Sequence, residues 1–240
     1  MDWTDDGIVL STRKHGETSA IVHLLTRQNG VAAGLVRGGT GKRARGQLQP
    51  GNLLHAHWRG RLPEHLGTLT CEMSEALGAG VMDDAAALAA VGSACALTLM
   101  ALPEHEAHPA VFDGLLVLLR SMDEGSWPTV YVKWELGLLQ ELGFGLDFSE
   151  CAATGETEDL VYVSPKSGRA VSGSAGEPYK GKLLPLPVFL LDGGAADSAD
   201  DIQRGLQLTG HFLAEHVLKP AGRALPDARQ RLLRRLRVTP

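Results

Sequence analysis

The residues best suited to chemistry in this 240-residue chain are cations interleaved with glycine. Arg37-Gly38-Gly39-Thr40-Gly41-Lys42-Arg43-Ala44-Arg45-Gly46 joins fixed positive charge to backbone that can approach a ligand closely. From 37 to 63 there are six basic residues (Arg37, Lys42, Arg43, Arg45, Arg59 and Arg61) and no acid. Cations in such a run neutralise phosphates and release their condensed counterions, so the chemistry on offer is polyanion binding. Arg13 and Lys14, at the end of the first expected strand, can share that face. The run also imitates a nucleotide-binding P-loop, G-x-x-x-x-G-K-[ST] between a strand and a helix. Here Gly41-Lys42 is followed by Arg43, Val36 holds the first glycine position, and Gly46, Pro50 and Gly51 argue against a following helix.

Other reactive constellations fail on spacing. His55 and His57 share an expected strand face, but no third ligand is near them in sequence. His211 and His216 are five apart and miss the H-E-x-x-H pattern. There is no Gly-x-Ser-x-Gly elbow, and no two carboxylates pair as acid and base. No catalytic residue, metal site or cofactor is expected. Cys71, Cys95 and Cys151 are odd in number and widely spaced, which favours a reducing cytosol over a disulfide framework. The opening Met1 to Asp6 is acidic with no apolar core behind it, unlike a secretory signal.

Charge is distributed unevenly. Residues 1–80 carry nine Lys/Arg against seven Asp/Glu, residues 81–160 two against fourteen, residues 161–218 five against six, and residues 219–240 seven against one. The net formal charge of −5 therefore hides a basic front and a basic tail, an asymmetry that points to an anionic partner. Residues 85–102 are uncharged, with eight alanines among the eighteen and acidic flanks lacking Lys or Arg. That pattern describes a buried helix rather than a membrane span.

The elements that must position the cations follow from periodicity. Residues 7–10, 20–25, 31–36, 52–58 and 68–73 alternate or run apolar as strands, with Asn29-Gly30 as a hairpin turn. Leu54, Ala56 and Trp58 fall on one face, and Leu53, His55 and His57 on the other. Leu69, Cys71 and Met73 are expected inward. Five strands in about 75 residues must close or expose their edges, and a five-stranded OB barrel is the natural solution. With only Trp3 and Trp58 as aromatics in this part, and Trp58 assigned to the core, DNA binding there would be led by phosphate contacts. Helices are expected after Asp83-Asp84, from Pro109 to Met122, from Pro128 to Leu142 with a stripe of Val132, Leu136, Leu139 and Leu142, from Asp200-Asp201 to Lys219, and from Asp227 to Arg237. Residues 149–182 read as a loop-rich insert with a small hairpin. The fold class is thus multidomain α+β: a barrel over 1–80, then an all-α domain over 81–240 carrying the insert. The last helix sets Arg229, Arg231, Arg234, Arg235 and Arg237 around Leu232, Leu233 and Leu236, either as a solvated basic face, as a second phosphate contact or as a dock for an acidic peptide.

Several segments resemble the bacterial RecO family of DNA repair and recombination proteins. They are Gly7-Ile8-Val9-Leu10 with Gly16-Glu17-Thr18-Ser19, Gly34 to Gly39 with its basic run, Leu48-Gln49-Pro50-Gly51-Asn52, Val163-Ser164-Pro165-Lys166-Ser167-Gly168-Arg169-Ala170-Val171, and Leu183-Leu184. The resemblance implies an N-terminal OB barrel, a helical domain and a zinc-finger-like insert. It implies binding of single- and double-stranded DNA without sequence preference and annealing of complementary strands. The implied partners are RecR and the acidic C-terminal tail of single-stranded DNA-binding protein, with RecA loading in the RecF pathway, in the cytoplasm at the nucleoid. Arg13, Arg37, Lys42, Arg43 and Arg45 then fall on the DNA-facing side of the barrel. Some members carry two C-x-x-C pairs in the insert. Here only Cys151 remains, with Thr154 at its partner's position and Ser172 and Ala175 near the second pair, and one thiolate cannot hold a structural zinc.

A peptide handle would need a cation beside an apolar groove. Arg120 and Lys133, the only cations between residues 81 and 160, are the candidates. The competing reading is a non-catalytic OB-fold scaffold that docks an acidic protein and touches no DNA. A hydrolase is the weakest reading, since no nucleophile, base or metal set emerges.

Overall fold

The computed structural model describes residues 1–62 and 65–238. Its first 75 residues form five strands: β1 (Asp2–His15), β2 (Ser19–Thr26), β3 (Gly30–Val36), β4 (Leu53–Arg59) and β5 (Gly67–Glu75). They close as a barrel in the order β1-β2-β3-β5-β4, the OB arrangement expected from the strand count. Closure depends on the length of β1. Its first half, Asp2 to Ile8, pairs with β4, and Gly7 to His15 pairs with β2. A bulge between Val9 and Ser11 bends the strand where it changes neighbours. The β3–β5 seam is parallel and spans two residue pairs, Gly34↔Gly67 and Leu35↔Thr68.

Short as that seam is, the barrel is filled from within. Val9, Ala20, Val22, Leu24, Leu48, Leu54, Ala56, Trp58 and Leu69 form its core. Trp58 is 1% exposed, so it belongs to the core as its alternation requires. Its indole N–H donates to the Ala33 carbonyl at 2.9 Å, and its ring stacks on Trp3 with centroids 5.7 Å apart. Gly67 makes room for it, because a Cβ there would lie 2.2 Å from the indole. Two expectations of alternation fail. Leu53 is buried although its register mates His55 and His57 are exposed, because the β4–β5 ladder shifts between Leu53 and Leu54. Met73 is 41% exposed and Cys71 only partly buried, since this stretch of β5 has run past β3 and pairs with β4 alone.

The basic run between β3 and β4 is not the open loop the glycines suggest. Lys42–Gln47 forms a short helix, α1, whose inner residue Ala44 packs with Leu48 against the barrel core. A helix thus does begin at Lys42, although Gly46, Pro50 and Gly51 argue against one. The motif still fails at Val36 and Arg43, and α1 exposes four of its six residues.

Beyond the barrel, α2 (Ala85–Ala101) starts at Asp84, whose carboxylate accepts from the N–H groups of Ala86 and Ala87. It packs on β1, with Cys95 Sγ 3.6 Å from the Val9 carbonyl, and no described helix is long and apolar enough to cross a membrane. α3 (Pro109–Arg120) follows. The strand-to-helix switch lies between Glu75 and Ala85, close to residue 80. The compact unit, however, runs from Met1 to Asp123 and takes in Pro226–Leu232, so α2 and α3 go with the barrel.

The second unit begins at Glu124 and runs to Leu225, with Leu233 onward. α4 (Trp127–Glu141) has Pro128 in its first turn, as expected. It buries Tyr131, Val132, Trp134, Glu135, Leu138 and Leu139, while Leu136 and Leu142 of the expected stripe are half-buried. The insert holds β6 (Leu160–Val163) and β7 (Ala170–Ser172) as the hairpin, with β8 (Leu184–Pro185) completing a sheet in the order β7-β6-β8. A single turn, α5 (Gly173–Gly176), follows β7. α6 (Ala199–Phe212) is capped by Ser198 and packs on α4, where Gly205 leaves 2.8 Å to Val132 for a would-be Cβ. Leu213–Leu218 continues it as a π-helical turn. α7 (Asp227–Val238) ends the described chain. Arg229 is buried there, whereas Arg231, Arg234 and Arg237 are exposed.

Candidate nucleic-acid interface

Strand register decides which cations meet. Arg13 on β1 faces Ile21 on β2, Ile21 faces Leu35 on β3, Leu35 faces Thr68 on β5, and Thr68 faces Arg59 on β4. Residues in register share a face, so one row runs around the outer wall from Arg13 to Arg59, and since Arg59 also faces Asp2 the row returns to β1 far along the strand from where it began. Lys14 is aligned with Ala20, and Ala20 with Val36, which places Arg37 just past the same strand ends. Arg61 lies two residues beyond Arg59. The register thus gathers Arg13, Lys14 and Arg37 on one rim of the barrel, whereas Arg59, which faces Asp2, and Arg61 lie toward the opposite end of β1.

The turn that follows Arg37 folds back on the β1–β2 hairpin. Thr40 N–H donates to the Thr18 carbonyl at 3.1 Å, and its hydroxyl donates to Glu17 O at 3.2 Å. Gly39 allows this approach, because a Cβ there would stand 2.8 Å from Ala20 Cβ. α1 is then moored at its C-terminal end. Thr12 Oγ1 donates to Leu48 O at 2.6 Å, Gln47 Nε2 to Cys71 O at 2.6 Å, and Asn52 Nδ2 to Gly46 O and Gln47 O at 2.9 and 3.1 Å. These bonds tie α1 to β1 on one side and to the free stretch of β5 on the other. Lys42, Arg43 and Arg45 point away from Ala44 into solvent. Between α1 and β5 opens a cleft of about 690 Å³, with Arg43 and Gln47 on one wall and Cys71, Glu72 and Met73 on the other.

The barrel cations share one electrostatic feature. Arg13, Lys14, Arg37, Lys42, Arg43, Arg45, Arg59 and Arg61 are all exposed, and none forms an ion pair among the described residues. Elsewhere several cations have partners: Arg27 with Asp113 at 2.5 Å and over the Phe112 ring, Arg169 with Asp147 and Glu150, Lys180 with Glu177, and Lys219 with Glu215, while Lys166, Lys182, Arg231, Arg234 and Arg237 also form no ion pair among the described residues. The two peptide-handle candidates are likewise engaged. Arg120 forms a two-pronged pair with Glu75, and those hydrogen bonds hold the Glu75 carboxyl below the usual carboxylate range. Lys133 donates to the carbonyls of Gly193 and Gly194 at 2.5 and 2.6 Å.

His55 pairs with Asp6 and His57 with Asp2 on the outer wall of β1 and β4, and no group of three metal-ligating side chains gathers among the described residues. Burial pushes the Cys71 thiol up to about 11 and the Cys95 thiol up to about 12. Cys151 differs. Burial raises its pKa, but the hydroxyls of Ser172 and Thr154 and the N–H groups of Ser172 and Ala153 outweigh burial and hold it at about 6. The Ser172 N–H lies 3.2 Å from the sulfur. Thr154 and Ser172, two of the positions where the resemblance puts cysteines, thus supply hydrogen-bond donors to the remaining one.

α1 was not expected from the sequence. Ala44 and Leu48, four apart and both apolar, were the available sign of α1.

The barrel order and its unpartnered cations together define an OB-barrel protein with a cationic rim. A family model described as Recombination protein O N terminal matches residues 1–76, and one described as Recombination protein O C terminal matches residues 82–224. The chain is 53% identical over 239 residues to DNA repair protein RecO of Rhodospirillum centenum, covering 99% of this chain and 95% of that one. It is 48% identical to the Rhodospirillum rubrum protein (99% and 97% covered) and 49% to that of Caulobacter vibrioides (98% of each), both also named DNA repair protein RecO. The chain belongs to the RecO family of DNA repair and recombination proteins.

Proposed function

We propose that this chain is a recombination mediator that works by binding rather than by catalysis. Residues 1–80 are its DNA-binding domain. They hold single- and double-stranded DNA without sequence preference through Arg13, Lys14, Arg37, Lys42, Arg43, Arg45, Arg59 and Arg61. The observation that carries this reading is a concentration of charge: eight exposed cations on one barrel form no ion pair among the described residues, in a chain of net charge −5. Annealing requires two mutually repelling strands to be held together with their bases free. A rim that grips phosphates and stacks few bases meets that requirement. In the cell the protein would act in the cytoplasm at the nucleoid. It would work with RecR and engage the C-terminal tail of single-stranded DNA-binding protein, so that RecA loads on coated DNA.

A salt titration with labelled oligonucleotides tests the reading. Affinity for single strands falls with log salt at about −0.7 per phosphate contacted. Lys42→Glu combined with Arg43→Glu lowers affinity severely while the melting temperature holds. Unchanged binding in that double variant moves the site elsewhere. No DNA binding by the wild type favours the scaffold reading, in which the same rim docks an acidic protein.

A further inference from the structure

Within the second unit, three structural devices converge on one cleft of about 200 Å³. The first is the end of α4. Gly143 adopts φ +83°, its N–H donates to Gln140 O, and the Phe144 N–H reaches back to Leu139 O at 2.8 Å. This is a Schellman closure, which fixes the backbone that presents Phe144. The second is the β6–β7 hairpin tip, where Gly168 N–H donates to Ser164 O and Ser164 N–H to Arg169 O, leaving Lys166 and Ser167 at the apex. Asp147 N–H to Gly168 O and Ala170 N–H to Asp147 O bind this tip to the segment that follows Phe144. The third is the π-helical turn after α6, a rare geometry that frequently marks functional sites. It presents His216, whose ring stacks on Phe212 at 5.4 Å and 18° and meets Phe144 at 5.9 Å.

The cleft is lined by Phe144, Leu146, Phe212, His216, Lys166 and Ser167, and otherwise by glycine backbone. Its chemistry is specific. Phe144 is 39% exposed, an open ring beside an existing aromatic stack. Lys166 is exposed and forms no ion pair among the described residues. The lining mixes ring faces with hydroxyl, imidazole and backbone polar groups. An aliphatic side chain would want an apolar wall throughout, whereas a nucleobase offers a π-face and a polar edge together. A phosphate on the same nucleotide matches the lysine.

We propose that this cleft is a second single-stranded DNA contact, in which Phe144 and His216 stack one unpaired nucleobase and Lys166 neutralises an adjoining phosphate. The barrel rim grips phosphates of either DNA form; this cleft accepts only a base released from pairing. The inference rests on the DNA-binding reading above, and it adds a preference for unpaired DNA that the rim alone lacks.

The full chain is tested against three probes by fluorescence anisotropy: a single-stranded oligonucleotide, the same backbone carrying abasic sites, and the matching duplex. Phe144→Ala weakens single-strand binding roughly 5- to 150-fold, the range of one lost stacking contact, and leaves the abasic and duplex probes within about twofold. Phe144→Trp restores binding. Lys166→Ala reduces the salt slope on single strands by about 0.7. Unaltered melting temperatures show that the variants fold. The inference is overturned if Phe144→Ala binds single strands as the wild type does, or loses affinity equally for all three probes. It is also overturned if a short acidic peptide ending in phenylalanine binds the wild type and loses affinity for Phe144→Ala while DNA binding stands, which makes the cleft a protein site. Failure of wild-type protein to bind any DNA removes the parent reading as well; intact wild-type binding with an indifferent Phe144→Ala removes this inference alone.

Discussion

The hydroxyl of Thr12 on β1 donates to the carbonyl of Leu48, 2.6 Å away, at the C-terminal end of α1. A six-residue helix has too few internal bonds to persist alone. Its cations therefore keep a fixed position because β1 and β5 hold its last turn. Thr12→Val keeps the shape and removes the donor. The expected loss of stability is about 1 kcal/mol, with one carbonyl left to find water. DNA affinity falls as well, and the penalty of Arg43→Glu is smaller in the Thr12→Val background than in the wild type. A double-mutant cycle in a DNA-binding assay measures that coupling; additive penalties would mean that α1 keeps its place without Thr12.

Gly67 sits beneath the buried indole of Trp58. A methyl group there would have to share space with ring atoms 2.2 Å away. The ring is also fixed by its bond to Ala33 O and by the stack on Trp3, so it cannot step aside cheaply. Gly67→Ala is expected to cost about 1–3 kcal/mol through overpacking, read as a lowered urea midpoint. A neutral result would show that the two-pair β3–β5 seam yields.

The Cys151 thiol gives a pH signature. Its folded pKa of about 6 lies below the ordinary thiol value of 9.0, so the folded state favours the thiolate. The stabilising contribution is complete above the unfolded value and is lost as pH falls through about 6. The stability difference between wild type and Cys151→Ala therefore grows from pH 6 to pH 9. Paired urea melts across that window test it, and a difference that stays flat with pH would mean that the sulfur remains protonated in its ring of donors.

What was legible in the sequence followed from local pattern. The five strands were readable because each alternates or runs apolar between turn residues, and a short chain of five strands has few ways to hide its edges. The cations from Arg37 to Arg61 were readable as a basic run with no acid among them. Their lack of partners was not, because the ion pairs that occupy Arg27 and Arg120 reach across 86 and 45 residues. α1 was hidden by Gly41 and Gly46, poor helix formers whose cost is offset by bonds from Thr12, Gln47 and Asn52. Leu53 was misassigned because one register shift reverses the sense of every side chain beyond it. The π-helical turn at Leu213–Leu218 leaves no mark in a pattern read at ordinary helical period, so the cleft around Phe144 was not foreseen.

The double pairing of β1 bears on how the barrel would respond to a load. On the proposed reading, DNA held at Arg13 and Lys14 would pull on one end of a strand whose other end is fastened to β4, with the Met1 amino group bonded to Gly60 O at 2.7 Å. Tension along that strand runs parallel to both seams. Their hydrogen bonds must then rupture together by sliding rather than one after another by peeling. A nucleoprotein complex under traction would thus sooner release the polymer than tear open the domain that grips it.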